Sequence, residues 1–451
     1  MCSLFDLYAQ DVHLWAHQHR TITAKKGISM HDFSEAETAK IEEAADLLLR
    51  SEMQLPVLGR LRWKKSLSED FFASNCSELP KPQYKPFDPA PSLEYIAAAR
   101  QLIDGTSVVH DWLRKLARTF ELTTAMLSNL GNADFYKYSL ELYGGPSTTV
   151  GGREEAWLGL ANRLDDVLSD FDIGCQGLSC PTVLSAEDLQ KRLIDALPHY
   201  FGDETPEVRV SETLSAKAVA GRDYIKLRAD ARFSDLDEIQ LLQHEGLIHI
   251  GTNYNGKAQT RLPILGEAHP GNSRTQEGLA VFAEFISGAL DPARLKRLAN
   301  RVIAIDMAED GADFIQIYNF FRERGASDEP FEAFESARRV VRGGLVEGGA
   351  PFTKDSVYLG GLLDVHNYLR TAVRTGDASF IRLLFVGKID LSDLEAMKML
   401  RENDLINEPK YLPPWVSDMR HLLSYLAYST FLNEIKLDRV APQYSSLFST
   451  N

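Results

Sequence analysis

Leu241-Leu242-Gln243-His244-Glu245-Gly246-Leu247-Ile248-His249-Ile250 is the stretch on which the reading of this 451-residue chain turns. It is apolar enough to be a buried helix, yet it carries an imidazole, a carboxylate and, five residues after the first, a second imidazole. Those are the groups a hydrolytic metal site needs: neutral imidazoles to bind a cation and a carboxylate to take a proton from water. The spacing is awkward. In the common zinc-peptidase helix the two histidines stand four apart on one face. Five apart, at about 100° per residue, they diverge by about 140° on an ideal α-helix. A single π-type turn, hydrogen-bonded i to i+5, brings such residues into line, and Gly246 permits the distortion. The motif therefore predicts a π-bulge between His244 and His249.

A zinc site needs a third protein ligand and an open position. Downstream stands Thr275-Gln276-Glu277-Gly278-Leu279-Ala280-Val281-Phe282-Ala283-Glu284. Glu277 and Glu284 are seven apart, hence on one helix face, and apolar residues surround them. A carboxylate avoids burial unless it is paired or bound to a metal. Glu277 is read as the third ligand of one Zn2+, with His244 and His249. Glu284, two turns on, is read as an acceptor for a ligand-histidine N–H. Glu245 is read as the base that deprotonates water. Taken singly, either histidine would pass for a core residue and Glu284 for a surface ion-pair partner; the combination favours a metal.

Working outward, Val208-Arg209-Val210, residues 217–220 and residues 224–227 are short β-prone runs, the last two separated by the turn Gly221-Arg222-Asp223. An edge strand within 217–229, just ahead of the metal helix, would hold a peptide by main-chain pairing, and Tyr224 is a candidate substrate contact. Five prolines in residues 77–92 forbid helix there and predict an extended strap. Helical spacing is expected over 35–51, 92–118, 122–142 and 154–171, and again from 234 almost to the end. The later breaks are expected at 251–274, Gly343-Gly344, Gly348-Gly349-Ala350-Pro351 and Tyr411-Leu412-Pro413-Pro414. The pattern is α+β: mostly helical, with a small β-sheet next to the metal-binding helix. The expected division is an amino-terminal helical region (1–76), the proline strap (77–92), a helical subdomain (93–205) and a catalytic region (206–451).

Composition narrows the setting. At 44% hydrophobic and 25% charged residues the chain is ordinary globular material. A net charge of −15 and a pI near 5.3 argue against nucleic acid and anionic membranes as partners. No stretch approaches the ~18 apolar residues of a membrane span, and Met1 to Asp6 has no basic start of a secretory signal. Four cysteines make no disulfide framework. A reduced, cytoplasmic protein is expected, with Cys175 and Cys180 as plain thiols and His13, His17 and His19 in surface or packing roles. Neither a phosphate loop nor a dinucleotide fingerprint points to a nucleotide cofactor.

The metal motif, Asn255-Gly256-Lys257-Ala258-Gln259, Gln276-Glu277-Gly278-Leu279-Ala280, Arg339-Val340-Val341-Arg342-Gly343 and Phe352-Thr353-Lys354-Asp355-Ser356-Val357-Tyr358-Leu359 occur in that order. With the strap and Tyr411-Leu412-Pro413-Pro414, the chain from about 80 to 430 resembles the bacterial proteins named for a Q-E-G-L-A motif, known as flavohaemoglobin expression-modulating. Those are related to the eukaryotic microtubule-associated tyrosine carboxypeptidases. The resemblance implies a zincin-like metallopeptidase with His244, His249 and Glu277 as ligands and Glu245 as base. It also implies removal of a carboxy-terminal residue, tyrosine in the eukaryotic branch, so that the partner is a peptide or protein C-terminus. A net charge of −15 matches an acidic tubulin tail poorly.

A carboxypeptidase needs a cation for the terminal carboxylate. Arg338, Arg339 and Arg342 on one predicted helix, and Lys354 after the glycine-rich loop, are the candidates; Arg338 and Arg342 share a face. Tyr358 is a candidate donor to the oxyanion of peptide hydrolysis, with His269 a weaker one. Two other functions stay open: a regulatory or binding protein that keeps the zincin fold, and a zinc endopeptidase. The natural substrate, the preferred terminal residue, the identity of the divalent ion and the oligomeric state are not legible.

Overall fold

A computed structural model describes residues 32–149, 155–169, 181–324 except 182, 213 and 215, 330–375, and 379–432. His13, His17, His19, Cys175 and Cys180 lie outside the described residues. The Ser34 hydroxyl accepts the Glu37 N–H and opens helix α1 (Glu35–Glu52), which buries Ile41, Ala44, Ala45 and Leu48. The strap is extended from 79 to 89. It is pinned at Tyr84, whose hydroxyl accepts both Trp63 Nε1 at 2.8 Å and the Gly343 N–H at 2.7 Å.

Where two long helices are expected after the strap, three form: α2 (Ala90–Leu102), α3 (Val108–Ser128) and α4 (Asp134–Tyr143). The unforeseen turns lie at 103–107 and 129–133, the second reversing at Gly131 with φ +82. Both carry turn formers, Asp104-Gly105-Thr106 and Gly131-Asn132, that the helical reading of the flanking residues overrode. Next come α5 (Trp157–Ser169) and α6 (Ala186–Ala196), the latter opened by a Ser185–Asp188 capping box.

The sheet has three strands, β1 (Glu207–Ser211), β2 (Ala218–Ala220) and β3 (Tyr224–Arg228), in the order β1-β3-β2. β3 is central, parallel to β1 with Val208 opposite Ile225, and antiparallel to β2 with Ala220 opposite Ile225. Ile225 and Leu227 face the core.

The next helix changes type twice. A Ser234–Asp237 capping box starts α7 (Asp235–Leu241), a π-helical segment covers Leu242–Ile250, and α8 (Gly251–Lys257) continues the rod. The loop expected over 251–274 is therefore mostly helical: α8 occupies its start, and α9 (Pro270–Ile286) begins before its end. Asn255 explains the first part. Its side chain donates to the Phe385 and Tyr411 carbonyls at 2.8 and 2.7 Å and accepts the Lys410 and Tyr411 N–H groups at 2.9 and 2.8 Å. With every side-chain position used, a turn-prone residue is locked into a helix. Pro270 starts α9 because proline suits a first helical turn.

Then follow α10 (Pro292–Glu309), α11 (Phe314–Arg324), α12 (Pro330–Val341), α13 (Val357–Thr375), α14 (Leu394–Glu402) and α15 (Arg420–Leu432). The π-segment is clamped between two apolar clusters. Leu242, Leu247 and Ile250 join Ile225, Leu227 and Leu193, while Ile248 joins Leu279 and Phe282 of α9 and Val365 of α13. Helices α9 and α13 touch backbone to backbone: a Cβ on Gly278 would stand 2.3 Å from the Gly361 carbonyl. A third cluster unites Ile41, Ile96, Leu113, Leu265 and Met397, so packing ties the first helices to the later chain. The fold is mostly helical α+β with one small sheet. Among the described residues, no helix is long and apolar enough to cross a membrane.

Candidate metal centre

The π-segment turns His244 and His249 to the same side. Their rings lie 4.8 Å apart, centroid to centroid, at 84°. Helix α9 presents Glu277 to both: its Oε2 is 3.6 Å from His244 Nε2 and 3.5 Å from His249 Nε2. One ligand atom from each of the three residues lies within 4.8 Å of the others. Among the described residues, Glu277 Oε2 is buried and accepts no hydrogen bond, while Oε1 accepts Lys354 Nζ at 3.1 Å. Two imidazole nitrogens facing an orphaned carboxylate oxygen make a donor set that suits a divalent cation of the zinc type.

Behind His244 stands Glu284, fully buried. Its Oε1 is 2.6 Å from His244 Nδ1. A carboxylate only accepts, so Nδ1 donates to Glu284, and Nε2, turned toward Glu277, is the atom His244 has left to offer a metal. Arg294 of α10 donates to both Glu284 oxygens, at 2.9 and 3.0 Å. Burial works against the Glu284 charge, but Arg294 and His244 outweigh it and hold the carboxyl down to about 2. Burial likewise opposes a charged His244, yet Glu277 and Glu284 raise it to about 10; His249, where burial prevails, is lowered.

Glu245 lies near His244, His249 and Lys388, and its Oε2 accepts the Ala220 N–H of β2 at 2.7 Å. The pairing of β2 with β3 leaves that N–H on the outer edge of the sheet. The base candidate and the edge strand are thus joined directly. Lys388 Nζ donates to the His249 carbonyl at 2.9 Å, and burial brings Lys388 down to about 8 although Glu277 and Glu245 are near. Thr252 Oγ1 ties the same rod to Gln276 Oε1 at 2.9 Å.

The chain matches, over residues 69–434, the family model described as microtubule-associated tyrosine carboxypeptidase. This protein belongs to that family. No curated protein matches the chain.

In this member of the tyrosine carboxypeptidase family, the remaining candidates spread over three areas. Lys354 and Tyr358 lie beside Glu277: Lys354 Nζ is 5.3 Å from the centre of the Tyr358 ring. The Tyr358 hydroxyl is 3.5 Å from Arg339 Nη2. Arg339 clasps Asp355 with bonds of 2.6 and 2.9 Å, and its charge holds that buried carboxyl far below the usual range. Arg342 lies over the Phe352 ring at 5.6 Å, and Arg338 is buried and paired with Glu335. Tyr224 sits between Arg209 and Lys226, 4.9 and 4.7 Å from its ring centre, on the sheet face opposite Ile225. His269 is buried edge-on against Phe120 at 5.4 Å, and burial pushes it down to about 3.

Sequence reasoning passed over Arg294, Arg301, Asp355 and Lys388. For the first two a signal existed: they are seven apart on α10, the same face rule that singled out Glu277 and Glu284. Lys388 follows a run of loop residues and left none.

Proposed function

We propose that this chain is a zinc-dependent carboxypeptidase of the zincin type, removing the last residue of a peptide or protein. The observation that carries the reading is the buried, unpaired Glu277 Oε2 facing His244 Nε2 and His249 Nε2, with Glu245 on the adjoining residue. His244, His249 and Glu277 would hold one Zn2+. Bound there, the ion supplies Lewis acidity, polarising a carbonyl and making water acidic enough to ionise near neutral pH.

The chain's own residues do the rest. Glu245 takes the proton from the attacking water and delivers it to the leaving amine, as a general base that becomes a general acid. Its hydrogen bond from Ala220 holds the carboxylate in place beside the strand edge. That edge offers main-chain groups of β2 to an extended substrate. Tyr358, whose hydroxyl neighbours Arg339, serves as the donor to the oxyanion. Glu284 fixes the His244 ring by accepting from Nδ1. Lys354 keeps Glu277 ionised.

Two measurements test the reading together. Metal analysis of the purified protein should find about one zinc per chain, as one closed set of three donors requires. Mass spectrometry of peptides differing in their last residue should show loss of that residue alone, with amidated peptides resistant. Cleavage of amidated peptides at internal bonds would instead make it an endopeptidase, and a zinc-loaded protein inert toward every free acid would leave a binding role.

A further inference from the structure

The cations gathered beside Glu277 are not equally occupied. Arg294 is bound to both oxygens of Glu284, Arg339 to both oxygens of Asp355, and Lys354 to Glu277. Arg338 pairs with Glu335. Arg301 differs. Among the described residues its nearest approach to a carboxylate is 3.8 Å, to Asp355 Oδ2, an oxygen already taken by Arg339. Among the described residues its Nη1 is buried with no hydrogen-bond partner, although the side chain as a whole is 19% exposed. Arg342 shares the defect at Nε but lies over Phe352. A buried guanidinium nitrogen without an acceptor is unfavourable, so the arrangement favours arrival of an anion.

Position decides between the two. The Arg301 guanidinium stacks on the Tyr358 ring at 4.6 Å. Lys354 lies 5.3 Å from the same ring and 3.1 Å from Glu277 Oε1. Contacts therefore run from Arg301 through Tyr358 and Lys354 to the triad. A terminal carboxylate stands one residue, about 3.8 Å, beyond the bond that is cut, so its receptor must neighbour the metal ligands without touching them.

We propose that Arg301 is the anchor for the terminal carboxylate of the substrate, held in aim by Tyr358 beneath it and Asp355 beside it. This rests on the carboxypeptidase reading. Burial first, and the positive charge of Arg339 second, push Arg301 down to about 10, the mark of a cation short of counter-charge. An arriving carboxylate gives Arg301 two acceptors in the fork geometry that guanidinium prefers.

The test uses the zinc-loaded protein and two probes, N-acetyl-tyrosine and N-acetyl-tyrosinamide, with binding measured by calorimetry, alongside hydrolysis of a free-acid peptide and its amide. In Arg301→Gln, binding of the acid and kcat/KM for the free-acid peptide should both fall about 10- to 100-fold. Zinc content and Tm should hold, and Arg301→Lys should recover part of the loss. If Arg301→Gln keeps the wild-type preference for acid over amide, or if only Arg342→Gln loses it, the assignment is overturned. Acid-selective binding through Arg301 without turnover by the wild type would instead keep the anchor and remove the carboxypeptidase reading.

Discussion

Glu284 and Asp355 are both carboxylates buried beside the metal triad, and their surroundings are opposite in kind. Glu284 meets one imidazole and one guanidinium, each at hydrogen-bond distance, and every charge in the chain His244–Glu284–Arg294 has its counterpart. Asp355 meets Arg339 closely and Arg301 at 3.8 Å, with Lys354 and Arg342 nearby, so positive charge is in excess. A balanced set fixes geometry and has no further use for a ligand. An unbalanced set is a receptor, because burial without a partner raises its affinity for whatever anion fits. One wall of the candidate site holds the His244 ring in place; on the proposed reading the other receives the substrate's carboxylate.

Breaking the chemistry between the two walls should have the largest effect. Glu245→Gln should lower hydrolysis by roughly 10²- to 10⁴-fold, the span of general base catalysis, while metal analysis finds zinc unchanged. Normal turnover by that variant would remove Glu245 from the proton path. Breaking the balanced wall should act on the metal. Glu284→Gln should weaken zinc binding about 10- to 100-fold in a chelator competition, with KM for peptides nearly constant. A variant that binds zinc as well as wild type but loses peptide affinity would erase the distinction between the walls.

The charge of Glu284 also carries a pH signature in the metal-free protein. Its folded value lies near 2, below the ordinary 4.5, so its stabilisation is present above pH 4.5 and drains away as pH falls toward 2. Unfolding temperatures of wild type and Glu284→Gln should converge across that interval. A smaller effect is expected where α9 carries both Glu277 and Glu284 past α13. Gly278→Ala puts a methyl 2.3 Å from the Gly361 carbonyl. It should destabilise the fold by about 1–3 kcal/mol in chemical denaturation, typical of overpacking. The smallest change belongs to Arg338→Gln, whose guanidinium is taken by Glu335. It should alter kcat/KM less than about threefold, since a substitution away from the reacting groups removes little differential binding. A loss matching that of Arg301→Gln would move the receptor onto α12.

Much of the triad was legible because its information is local. The five-residue offset of His244 and His249 demanded a π-turn, and the helix is π-wound from Leu242 to Ile250. Glu277 and Glu284 share a face by spacing alone, and the three strands followed from alternation and turn residues. The segment 251–274 misled for the converse reason. Asn255, Gly256 and Gly266 look like turn formers, but Asn255 spends its hydrogen bonds on residues 385 and 410–411, far along the chain.

Periodicity and residue type thus determined a helical protein with a small sheet, a candidate ligand set and the distortion needed to assemble it, since each depends on neighbours a few residues apart. The tertiary structure alone decided which charges cancel. Arg294 reaches Glu284 from another helix, Lys354 reaches Glu277 across 77 residues, and Asp355 takes Arg339 rather than Arg301. Whether a buried cation is satisfied or left waiting is a property of distances between elements, and linear spacing carries no record of them.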